Sequence, residues 1–119
     1  MRPHYRFEDL EIWQMARDLA VKLHGQAGTM EKRGLYRYAE QLRAAGLSLP
    51  NNIAEGSGSI HAKEFKQYLN IARRSLFEDA SMLLVFDKMG LLGTPDVDRL
   101  LTDCDHLSRK ITLFGRTLE

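Results

Sequence analysis

At 119 residues, 44% hydrophobic and 28% charged, the chain has the length of one domain and the composition of a globular protein, which excludes a disordered segment. Its net charge of +1 excludes a global basic field, so any nucleic-acid binding needs a local patch. The one cysteine, Cys104, excludes a disulfide framework, and no stretch has the length of a membrane span or of an apolar signal core; a soluble cytoplasmic protein is expected.

In chain order, residues 1–5 read as a short arm. Phe7, Glu8 and Asp9 open a first helix over about 7–24, with acids suited to the positive end of its dipole. Ile12, Ala16, Leu19 and Leu23 form its apolar stripe, widened by Leu10, Trp13 and Ala20. His24-Gly25 and Gly28 read as its end, and 26–33 as a polar connection. A second helix is predicted over 35–55, stopped by Gly56-Ser57-Gly58-Ser59. A third covers 62–89, with a seam of Phe65, Leu69, Ala72, Leu76 and Leu83; His61 sits where a cap would be, though histidine caps poorly. Thr94-Pro95-Asp96 is a strong start for a fourth helix over 95–118: a capping hydroxyl, a proline at the first position, then an acid. Strand signals are absent. Four helices with short connections predict one all-α domain, an antiparallel up-down four-helix bundle.

The second helix holds the most informative stretch, Ser48-Leu49-Pro50-Asn51-Asn52-Ile53-Ala54-Glu55-Gly56. Leu35, Ala39, Leu42, Gly46, Leu49, Ile53 and Gly56 recur at steps of four and three, as a bundle seam does. A polar stripe of Gln41, Ala45, Ser48, Asn52 and Glu55 runs on one side of it; Arg43, Leu47, Pro50 and Ala54 run on the other. A helix so apolar all round is expected to be buried on most sides, with its polar groups paired. Pro50 removes the bond to the Gly46 carbonyl, so it either breaks the helix or kinks it. Both stripes keep phase across Pro50, which favours a kink. Ser48, Asn52 or an arginine of a neighbouring helix is then expected to serve the freed carbonyls. Arg43, Ser48, Pro50, Asn52, Glu55, Gly56, Arg73 and Glu78 are taken together as a buried polar, structural motif, with a ligand site as the competing reading. Glu55 is expected to pair with an arginine inside the fold.

Catalytic patterns are missing. Gly56-Ser57-Gly58 follows a helix and lacks the lysine of a phosphate loop. Asp103-x-x-His106 is half of a di-metal motif and stands alone beside Cys104, so no metal and no cofactor is expected. Ser48 and Ser75 have no histidine base in sequence context, and the chain is not expected to be an enzyme. The candidate nucleic-acid or partner surface is Lys32, Arg33 and Arg37 with Lys63, Lys66 and Arg74. In sequence, Glu31, Glu40, Glu64, Glu78 and Asp79 interrupt these cations. Tyr36, Tyr38 and Tyr68 are candidates for base stacking.

The chain resembles the 23S rRNA-intervening sequence protein family, small bacterial four-helix bundles named for where their genes lie. The resemblance rests on Phe7-Glu8-Asp9-Leu10-Glu11-Ile12-Trp13-Gln14-Met15-Ala16, on Gln41-Leu42-Arg43, and on Ser48 to Gly58, with Pro50-x-Asn52-Ile53-Ala54-Glu55-Gly56 as the best marker. It continues through Lys63-Glu64-Phe65, Ile71-Ala72-Arg73, Ser75-Leu76 and Glu78. The chain departs from the family pattern at Ala44, Ser59, His61, Arg74 and Ala80. The resemblance implies a left-handed bundle that assembles into a ring, a homopentamer, related to accessory proteins of diversity-generating retroelements that engage nucleic acid. Two functions follow as expectations: a non-catalytic homo-oligomer binding RNA or a ribonucleoprotein partner, or a protein-interaction scaffold without nucleic acid. No membrane partner is expected.

Overall fold

The computed structural model describes residues 1–118. After a 3-10 turn at Arg6–Asp9, four helices follow: α1 Glu11–Lys32, α2 Tyr36–Ser57, α3 Ala62–Lys88 and α4 Thr94–Arg116. Each packs antiparallel on the next, and α4 returns to α1, closing an all-α bundle. Both termini and the α2–α3 turn share one end; the α1–α2 and α3–α4 turns share the other. No helix among the described residues is long and apolar enough to cross a membrane.

The first helix corrects the sequence reading. Gly25 and Gly28 do not end it, and 26–33 is not a connection. Ala27 and Met30 continue the stripe of Leu19 and Leu23, and all four are buried. That burial outweighs the cost of two glycines, about 1 kcal/mol each. The helix stops at Gly34, whose φ is +78°. There the Leu35 N–H donates to the Met30 carbonyl at 3.0 Å, the closing bond of a glycine-terminated helix. Gly90, φ +73°, ends α3 the same way, with Leu91 N–H on the Phe86 carbonyl at 2.8 Å. The Thr94 hydroxyl, expected as a cap, instead donates to Asp87 at 2.7 Å, and Gly93 takes the cap position.

α2 runs unbroken through Pro50. Ser48 Oγ donates to the Ala45 carbonyl at 2.8 Å and Asn52 Nδ2 to the Ser48 carbonyl at 2.7 Å. The donors expected at the freed Gly46 carbonyl thus serve its neighbours. Gly46 itself marks the α1–α2 crossing: a Cβ there would stand 3.2 Å from Leu23 Cδ1. Gly56 marks the tighter α2–α3 crossing, where a Cβ would fall 2.6 Å from Tyr68 Cβ.

The N-terminal arm is tied down. Glu8 accepts from Arg2 and from the Tyr5 N–H, and Arg6 reaches the Ser57 carbonyl at 3.1 Å while its guanidinium lies over the Phe65 ring. Those bonds, the Arg2 hydrogen bond first, hold the Glu8 carboxyl down at about 2.

Candidate functional site

At about 100° per residue, the two stripes flanking the α2 seam leave the helix on opposite sides. Arg43, Leu47, Pro50 and Ala54 meet Trp13, Ala20 and Val21 of α1 in a groove of about 460 Å³. Leu47 and Val21 are 55% and 66% exposed, so this apolar wall is open to solvent in the single chain. Phe7 caps one end, its ring 4.9 Å from that of Trp13. Arg43 closes the other: Nη2 meets Glu31 at 2.5 Å and Nε donates to His24 Nδ1 at 3.2 Å. The hydrogen bond between Arg43 and Glu31 holds the Glu31 carboxyl below its usual range and raises the Arg43 guanidinium.

Across α2, Gln41, Ala45 and Ser48 meet Ser75, Glu78 and Met82 of α3 in a groove of about 560 Å³. Farther along the same flank, Glu55 is exposed and lies beside Tyr68, whose hydroxyl it pushes above the usual phenol range.

The expected buried polar motif is therefore divided. Pro50 and Gly56 are buried; Arg43, Ser48, Asn52 and Arg73 are half-buried; Glu55 and Glu78 are exposed on the single chain. Glu55 has no arginine partner among the described residues. The reason is angular: Arg73 sits on the α4 flank of α3, its guanidinium 5.0 Å from the Phe77 ring centroid, whereas Glu55 and Glu78 sit on the flank shared by α2 and α3. Arg43 lies on the far side of α2 again. The expectation that α2 is buried on most sides is corrected likewise, since Glu40, Ala44, Leu47, Asn51 and Glu55 are all exposed.

The candidate cations form two groups. Lys32, Arg33 and Arg37 surround the α1–α2 turn, where Arg33 donates to the Leu91 carbonyl at 2.9 Å. Lys63, Lys66 and Arg74 lie on α3, and Lys88 continues their stripe to its end. Of the α3 acids that interrupt them in sequence, Glu64 and Asp79 leave this face, and Glu78, four residues after Arg74, stands at its edge. Glu64 and Glu78 turn toward α2, and Asp79 turns into the core. Outward on α3 are Lys63, Lys66, Asn70, Arg74, Ser81 and Lys88, spread over about 38 Å, with the exposed Phe77 and Leu84 interleaved among them at the same spacing of three and four. None of these cations makes an ion pair among the described residues. On α1 and α4, by contrast, Arg17, Lys22, Arg99, Arg109 and Lys110 are each bound to a carboxylate.

Of the tyrosines, Tyr38 packs edge-on against Phe86 and Tyr36 is exposed. Asp103 is bound to Lys22, Cys104 is buried and His106 faces solvent. No group of three His, Cys, Asp or Glu side chains among the described residues could hold a metal ion. The residue that sequence reasoning misplaced is Asp79, counted as a surface acid and found wholly buried. The four-three spacing from Leu76 and on to Leu83 was the signal for it.

A family model described as 23S rRNA-intervening sequence protein matches residues 8–113. No curated protein matches the chain.

Proposed function

This chain belongs to the 23S rRNA-intervening sequence protein family, and we propose that it is a non-catalytic homo-oligomer that binds RNA, free or within a ribonucleoprotein. The observation that carries the reading is the outward face of α3: four cations without ion-pair partners among the described residues, with Glu78 at the edge toward α2. Phosphate contacts need such uncommitted charges on one surface, and releasing counterions from the nucleic acid then supplies the affinity. Four cations on one helix make a weak patch. A ring repeats it around an axis, and multivalent contact strengthens binding without new chemistry.

The open apolar groove between α1 and α2 supports assembly. Exposed apolar surface of this kind is commonly covered by a protein partner. Leu113 of α4, 56% exposed, gives a second copy an apolar side chain to place there. A groove on one side and an apolar side chain on another make a head-to-tail contact, which forms a ring when the rotation between copies closes. A ring of five copies is what the family resemblance implies. The same groove favours a second reading, a protein scaffold without nucleic acid.

Light scattering behind a sizing column, with binding to a structured RNA measured across a salt series, tests both. A five-subunit mass is expected, with affinity falling steeply as salt rises. Replacing Lys63, Lys66 and Arg74 with glutamine should leave the mass unchanged and reduce the slope of log affinity against log salt by about 2 to 3. Salt-independent binding, or equal binding by the triple variant, would refute the phosphate surface. A clean ring without RNA affinity would establish the scaffold.

A further inference from the structure

The interior face of α3 recurs as Phe65, Leu69, Ala72, Leu76, Asp79, Leu83 and Phe86. Every member but Asp79 is apolar. Asp79 is 0% exposed, and neither of its carboxyl oxygens has a hydrogen-bond partner. An ionised carboxylate in that position would be desolvated with nothing in return.

No cation answers it. The buried residues of α1 and α2 include no titratable side chain. α4 buries one, Cys104, whose thiol is pushed up to about 12 by burial and then by Asp79 and Asp103. Asp103 is held by Lys22 of α1, and Asp105 by Arg109 on α4 itself. The neighbouring charge on α3 is Glu78, of the same sign. Beside this seam lies a cleft of about 150 Å³ between Leu76, Phe77 and Ala80 of α3 and Leu101, Cys104 and Ser108 of α4.

We propose that Asp79 is a proton-binding site built into the core: the native bundle carries a proton there, and its loss loosens α4 from α3 along the cleft. Burial, and secondarily Glu78, raise this carboxyl to about 7, from 3.8 for the free side chain. Between those two values the folded chain holds a proton that the unfolded chain has released. Stability is therefore complete below about pH 4 and declines as pH rises toward 7, with no further loss above. The site lies away from the outward face of α3 and does not rest on the RNA reading.

Thermal unfolding of the unsubstituted protein and of Asp79→Asn, from pH 5 to 8.5, tests the site. The amide keeps the shape and cannot ionise. The unsubstituted protein should lose more than about 10 °C of Tm across this range relative to the variant. Every other group is common to the two proteins and cancels. Cys104 reports the loosening: its labelling by a disulfide reagent should be equal in the two proteins at pH 5.5 and about tenfold faster in the unsubstituted one at pH 8.5. Parallel Tm profiles with equal labelling would overturn the proposal. Should Asp79→Asn fail to fold, the carboxyl carbon resonance of Asp79 in the unsubstituted protein decides. A midpoint near 7 sustains the site; a midpoint below 5 removes it.

Discussion

The two grooves beside α2 have similar volume and different linings, one almost wholly apolar and the other mixing polar side chains with Ala45, Met82, Val85 and Phe86. The one shared with α1 is walled by Trp13, Val21, Leu47 and Pro50; the one shared with α3 offers Gln41, Ser48, Ser75 and Glu78. One helix makes both, because residues three and four apart share a side while their neighbours in sequence point elsewhere. An all-round mixture of apolar and polar residues on α2 thus describes a helix with two working flanks, not one that is buried. The apolar flank asks for a protein surface, and the polar one stays stable in water.

The widest test of this contrast lies at the two crossings that set the grooves. Gly56→Ala should cost about 2–3 kcal/mol in chemical denaturation, since the new methyl meets the base of Tyr68 and the Phe65 ring, neither of which can move freely. Gly46→Ala should change stability by less than about 1 kcal/mol. Its methyl meets the tip of Leu23, and the gain in helix propensity offsets the strain. Equal losses at both positions would show that the two crossings are alike after all.

Assembly should separate the flanks next. Leu47→Asp places a charge in the apolar groove at a position already open to solvent, so the chain should remain helical while the mass by light scattering falls to one subunit. Glu78→Gln in the polar groove should leave the mass unchanged. Dissociation by Glu78→Gln alone would reverse the assignment of the two grooves.

Glu55→Ala should shift unfolding by under about 0.5 kcal/mol, as for other surface positions. A loss of several kcal/mol would mean that assembly buries the Glu55 carboxylate against a charge from another copy. The smallest effect belongs to the arm. Glu8 takes up its proton only near pH 2 in the folded chain, so its contribution is complete above about pH 4.5 and is lost as pH falls from there through about 2. Glu8→Gln should flatten the acid limb of the unfolding profile and leave the neutral region alone.

Much of the fold was legible. The ends of α2, α3 and α4 fall within two residues of where capping and stop signals put them, because proline and glycine act locally. The end of α1 was not, because Gly25 and Gly28 are local stop signals, whereas the burial of Ala27 and Met30 beyond them depends on tertiary packing. The two flanks of α2 were also legible, as stripes. What each stripe binds was not. Ser48 and Asn52 could serve a ligand, another helix or their own backbone, and only the folded chain shows that they bond carbonyls one turn back. Glu64 and Asp79 interrupt the cations of α3 in one dimension and leave their face in three, while Glu78 keeps to its edge.

The paired turns at Gly34 and Gly90 bear on the order in which the molecule forms. Each closes a helical hairpin through residues five apart, so each hairpin costs little loop entropy and can arise before the other exists. The α2–α3 turn is as short, and what sets the Gly56 crossing apart is its close packing on Tyr68 and Phe65, which needs those side chains in their final places. Substitution of Gly34 or Gly90 by alanine should therefore slow refolding, and strain at Gly56 should chiefly hasten unfolding, a division that stopped-flow kinetics would read as the two limbs of one chevron.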